Sequence, residues 1–139
     1  MKTLELITVW EKEYVRIQHS PDEKLIWNEW KGVIPSLKLR EAITYACNFI
    51  LEHDVELILA DYRNMCSPTF EDQVWIAKNS AEVLQHSKLR RVANLLAQDI
   101  FQQIAIESIY ETASKVPLPC ISKDFVYKND ALDWLLSSD

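Results

Sequence analysis

The sequence predicts an α/β fold: a mixed, mostly parallel sheet of about five strands with about four helices, in the order ββαβαβαβα. Three observations carry this. Residues 55–65, VELILADYRNM, form a short apolar run that ends in an aspartate and an arginine. A run of that kind reads as a parallel strand buried on both faces that delivers polar residues to the sheet rim. Further short apolar runs alternate with segments of helical spacing, which is the pattern of β-α-β units. Residues 14–30, finally, show strand alternation interrupted by turn chemistry.

Each element has its own warrant. Residues 14–19 (YVRIQH) and 24–30 (KLIWNEW) alternate around Ser20-Pro21-Asp22-Glu23, so they pair as an antiparallel hairpin. In the second segment Leu25, Trp27 and Glu29 share one side, and Ile26, Asn28 and Trp30 share the other. A short leading strand is expected within 4–10. Gly32 breaks the pattern, and Pro35-Ser36 opens a helix to about Glu52. Leu39, Ile43, Ala46 and Ile50 recur on its sheet-facing side. The strand at 55–60 follows. The next helix begins near Thr69, which has Asp72 at capping-box spacing; its buried stripe is Phe70, Val74, Ala77, Ala81 and Leu84.

A second apolar strand lies at 91–97 (RVANLLA). Asp99 then caps a helix, with Gln102 three residues on, and Phe101, Ile104, Ala105, Ile109 and Ala113 form its apolar side. Pro117 and Pro119 stop it. A last strand is expected at 120–126 and a short closing helix at 129–136. No repeat or linker composition divides the chain, so residues 1–139 read as one domain.

Composition excludes several functions. Hydrophobic residues are 48% and charged residues 26%, which suits a folded globular chain. Asp and Glu number 21 against 15 Lys and Arg, a net charge of -6. Such a chain lacks the basic stripe that nucleic-acid binding needs, so no nucleic-acid partner is expected. No apolar run reaches the ~18 residues of a membrane span, and charges interrupt the N-terminus too early for a signal-peptide core. Cys47, Cys66 and Cys120 are widely spaced and odd in number, which fits reduced thiols and a cytoplasmic location.

Gly32 is the one glycine, where average usage would give about ten. Phosphate-cradling loops and the Gly-x-Ser-x-Gly elbow need several, so both are excluded. The three histidines, His19, His53 and His86, are far apart in sequence and show no metal-ligand spacing. No catalytic constellation, metal site or cofactor is expected.

The element order, with four short motifs, resembles the STAS fold of bacterial anti-sigma factor antagonists, and more closely its SpoIIAA-like branch. Glu29-Trp30-Lys31-Gly32 resembles that branch's "EWKG" strand end, and Asp61-Tyr62-Arg63-Asn64-Met65 its "D-x-R-x-M". Glu71-Asp72-Gln73-Val74-Trp75 resembles its "EDQxW" helix opening, and Ala131-Leu132-Asp133-Trp134-Leu135 its "ALEWL". The resemblance implies a non-enzymatic regulatory or protein-interaction module, cytoplasmic and homodimeric. The branch also looks like the lipid-binding Sec14 superfamily, which implies an apolar small-ligand or lipid pocket instead. Phosphorylatable STAS proteins carry Asp-Ser-Ser-Gly where residues 65–72 here read MCSPTFED, so no phosphorylation site is carried over.

The candidate binding residues are therefore Asp61, Arg63, Thr69 and Trp75, grouped at the rim between the strand end and the second helix. Asp61 and Arg63 offer directional polar contacts, or else pair with loop amides and a neighbouring carboxylate. Thr69 and the helix start suit an anionic group. Trp75 offers buried contact area, or else packs between helices. Should the pocket reading hold, its lining would include Ile43, Phe70 and Phe101.

Overall fold

The computed structural model describes residues 4–97, 100–113 and 118–137. The chain runs β1 (Ile7–Lys12), β2 (Val15–Ser20), β3 (Leu25–Gly32), α1 (Ser36–Glu52), β4 (Leu57–Met65), α2 (Phe70–Leu84), β5 (Arg91–Leu95), α3 (Ile100–Ala113), β6 (Ile121–Phe125) and α4 (Lys128–Leu135). The leading segment forms a full strand, so the sheet has six strands where about five were expected. Their spatial order follows the sequence, β1-β2-β3-β4-β5-β6. β1, β2 and β3 pair antiparallel as a meander. β3 to β6 pair parallel.

This order dictates the layers. Each β-α-β crossover steps one strand in the same direction, and right-handed crossovers then put α1, α2 and α3 on one face. The core on that face joins Val15, Ile17, Ile26, Trp30, Ile58 and Val92 of the sheet to Leu39, Ala46 and Ile50 of α1. The opposite face is covered by α4, whose Ala131 and Leu135 pack on Leu25, Leu57, Leu59, Ala93 and Leu95. β4 is thus buried on both faces, which is why its first half is apolar without alternation. Strand order never reverses between β3 and β6, so the sheet lacks the switch-point crevice where open α/β sheets usually bind ligands.

Gly32 sits at the end of β3 with φ +69, and a Cβ there would meet nothing within 4 Å. The requirement for glycine is therefore one of backbone conformation alone. Asp54 takes φ 51 where α1 turns into β4, a conformation Asp tolerates better than most residues.

Several expected details are revised. Phe70 is 73% exposed, because it is the first residue of α2 and lies beyond the sheet rim. Ile104 is 55% exposed, while Ala105 and its neighbour Ile106 are buried, so the apolar face of α3 is rotated from the expected one. The Asp99 cap, and the side chains of Gln102, Phe101 and Ala113, lie outside the described residues. His19 and His53, 34 positions apart by subtraction, stand with ring centroids 5.8 Å apart. Phe49 stacks on His53 at 3.9 Å and meets His19 edge-on at 4.9 Å. Burial, with His53 adding to it, holds the His19 pKa below the usual imidazole value.

Candidate functional site

β4 runs five residues beyond the expected strand end at 60, so Asp61 and Arg63 belong to the strand itself. Asp61 is 4% exposed. Its carboxylate accepts from the Arg63 backbone N–H at 3.1 Å, from Nε at 3.0 Å and from Nη2 at 2.8 Å. The pair is bidentate. The hydrogen bond to Asp61 in turn raises the Arg63 pKa. By strand alternation Asp61 lies on the side of Leu57 and Leu59, the α4 face. Glu29, its partner in register, is bonded to Arg16 Nη2 at 2.7 Å.

Thr69 and Trp75 lie on the other side of the sheet. Thr69 is the N-cap of α2: its Oγ1 accepts the Asp72 backbone N–H at 3.2 Å, as the capping spacing requires. The Asp72 carboxylate is buried and points back to α1, where its Oδ1 accepts from Ser36 Oγ at 2.6 Å and Arg40 Nε at 3.1 Å. The Arg40 guanidinium also lies 5.2 Å from the Trp75 ring centroid. Trp75 is half-buried, and its contact with α1 is this guanidinium. The four expected residues therefore form two separate pairs, with the sheet between them.

Two spaces lie on the α1–α3 side. The first is a groove of about 410 Å³ at the rim, between the β3–α1 connection (residues 33–36) and the β4–α2 connection (residues 65–69). The Ser36–Asp72 bond ties the helix starts across its floor. Val33, Leu37 and Phe70, exposed by 82%, 83% and 73%, lie along these same connections and first helical turns. Cys66 is exposed on the groove wall.

The second space is a partly open cavity of about 130 Å³ between the sheet and α1, α2 and α3. Ile43, Ile50, Ile58, Ile76, Ile106 and Val92 supply much of its wall, and none of the described residues lining it is charged. Leu39, Met65 and Pro68 border both spaces, so the groove adjoins the cavity. Of the pocket residues expected from sequence, Ile43 lines the cavity, Phe70 does not, and the Phe101 side chain lies outside the described residues.

The titratable groups on the cavity wall are held neutral. Burial pushes the Cys47 thiol up to about 11, against a hydrogen bond from Ser80. Burial also raises Cys120, and raises Tyr62 together with Cys47 and Asp124. None of the three ionises near neutral pH, so they bring neither a charge nor a reactive thiolate to the wall. Asn28 is the polar residue that the candidate set left out. Its side of β3, shared with Ile26 and Trp30, was legible from alternation, and two large apolar neighbours on that side mark it as buried.

No protein-family model matches the chain, and no curated protein matches it. Among solved structures it is similar to an uncharacterised protein of the DUF3478 family with a SpoIIAA-like fold from Shewanella loihica PV-4. The identity is 14%, the match covers 94% of this chain and 92% of that one, and the TM-score is 0.52. The chain has a SpoIIAA-like fold. At this identity the likeness speaks for the fold alone. Among the described residues no helix is long and apolar enough to cross a membrane, and no cluster of three or more His, Cys, Asp or Glu is placed to hold a metal ion.

Proposed function

We propose that this protein is a non-catalytic binding module that takes a small apolar molecule between its sheet and helices α1–α3. The observation that carries the reading is the cavity of about 130 Å³, uncharged among the described residues, adjoining the rim groove through Leu39, Met65 and Pro68. An engineered apolar cavity of about 150 Å³ elsewhere stays dry and binds benzene, so this space suits a ring or short chain of similar size. The groove is the way in, and it has room for a more polar end of the same molecule. The test is titration with methylenecyclohexane, followed by NMR shifts of the Ile58, Ile76 and Val92 methyl groups. Saturable shifts at those methyls support the reading; their absence rejects it.

A second reading is a regulatory module that docks another protein, or a second copy of itself, on the rim. It is favoured by Val33, Leu37 and Phe70, large apolar side chains exposed together there. The triple variant V33S/L37S/F70S should then lose partner capture, or turn a dimer into a monomer by light scattering, while methylenecyclohexane still binds. An unchanged assembly state and an unchanged set of captured partners would remove the rim from consideration.

A further inference from the structure

We infer that the cavity selects a neutral molecule carrying one hydrogen-bond acceptor of the carbonyl class, held by the side-chain amide of Asn28. The inference rests on the cavity reading and deepens it.

Asn28 lies on β3, is 6% exposed and lines the cavity. Its side-chain oxygen accepts from Trp30 Nε1 at 2.8 Å. An indole nitrogen can only donate, so this bond fixes the orientation of the amide: oxygen to the indole, NH2 away from it. Nδ2 then presents two donors, and no protein acceptor for them stands among the described residues. Buried amides are normally satisfied, so the unmet donors call for an acceptor from outside the chain.

The other polar groups on the wall include Cys47, Tyr62, Ser80 and Cys120. The Ser80 hydroxyl faces the Cys47 thiol, and the Tyr62 hydroxyl, kept protonated by burial, is a second donor on the same wall. Ala60, the register partner of Asn28 on β4, is the smallest side chain on this part of the floor and leaves room beside the amide. With no cation among the described residues of the wall to balance it, a carboxylate or phosphate is disfavoured by the cost of its desolvation. A carbonyl oxygen on an apolar frame meets both conditions.

The experiment compares cyclohexanone with its near-isostere methylenecyclohexane on the full chain. Affinities are read from the methyl NMR shifts, and the carbonyl stretch of bound cyclohexanone from difference infrared spectra. The inference expects the stretch to fall below its value in hexane. It also expects Asn28→Leu to weaken cyclohexanone about tenfold, leave methylenecyclohexane unchanged and return the stretch to the hexane value. Methylenecyclohexane binding with an unshifted cyclohexanone stretch overturns the inference and leaves the cavity reading standing. A shift that persists in Asn28→Leu assigns the donor to another group, the Tyr62 hydroxyl or a trapped water, and overturns it likewise. If neither compound binds, the cavity reading fails and this inference with it. Should Asn28→Leu not fold, the wild-type stretch decides alone.

Discussion

Replacing Ala60 with valine should stabilise the protein, and the sign of the effect tests the cavity directly. Ala60 is 2% exposed, sits on the cavity floor, and lies in register between Asn28 and Asn94. Valine adds two carbons and suits a strand better than alanine. At about 0.8 kcal/mol per buried carbon, the gain is about 1.6 kcal/mol. The cavity's own cost gives a second route to the figure. At about 24 cal/mol per Å³, a void of about 130 Å³ costs about 3 kcal/mol, and two carbons recover about half of it. For a chain of 139 residues the gain corresponds to a rise in Tm of about 5 °C. Urea denaturation and calorimetry would measure it, with an unchanged m-value showing that the denatured state is unaffected. A well-packed site would respond in the opposite direction, losing about 1–3 kcal/mol from overpacking. A destabilised Ala60→Val with the fold intact would refute the reasoning. The same variant should also weaken methylenecyclohexane, because it occupies the ligand's space.

Three further outcomes follow from the contacts described. Thr69→Ala removes the acceptor for the Asp72 N–H and should cost about 1 kcal/mol in urea denaturation; an unchanged midpoint would show that the cap contributes nothing. Arg91 Nη1 donates to the Trp134 carbonyl and to Ser137 Oγ, both at 2.6 Å, and its guanidinium lies over the Trp134 ring. Arg91→Met should therefore speed amide exchange in α4 by about tenfold, with α1 unaffected; equal exchange in both proteins would count against this latch. His19 has its native pKa below 6.5, from burial first and His53 second. The unfolded chain then binds the proton more readily than the native one, so stability falls as pH drops below about 6.5, until native His19 itself protonates. Comparing unfolding free energies at about pH 7 and about pH 5, His19→Gln should show a shallower decline, and parallel declines would exclude His19 as a source.

Local rules placed most of the elements. Thr69 and Asp72 marked the start of α2 because a cap is a contact three residues long, and the Thr69–Asp72 bond formed. Ser36 and Glu52 bounded α1 because its apolar residues keep one period throughout. A change in polarity does not mark the end of β4. Asp61 stays in the strand because Arg63, two residues on and on the same side, neutralises it. Phe70 was misassigned for a related reason: period alone does not say whether the first turn of a helix lies over the sheet or past its rim.

Hydrophobic period, turn chemistry and the scarcity of glycine were enough to determine the α/β class, the succession of elements and the exclusion of phosphate loops. These depend on neighbours along the chain, and the sequence records neighbours. Tertiary structure alone decided that Asp61 and Trp75 stand on opposite faces of the sheet, that His19 meets His53, and that Asn28 faces a cavity. Each of these depends on which way a crossover winds and how closely one layer settles on the next. A void is what packing leaves unfilled, and no residue type or spacing encodes it.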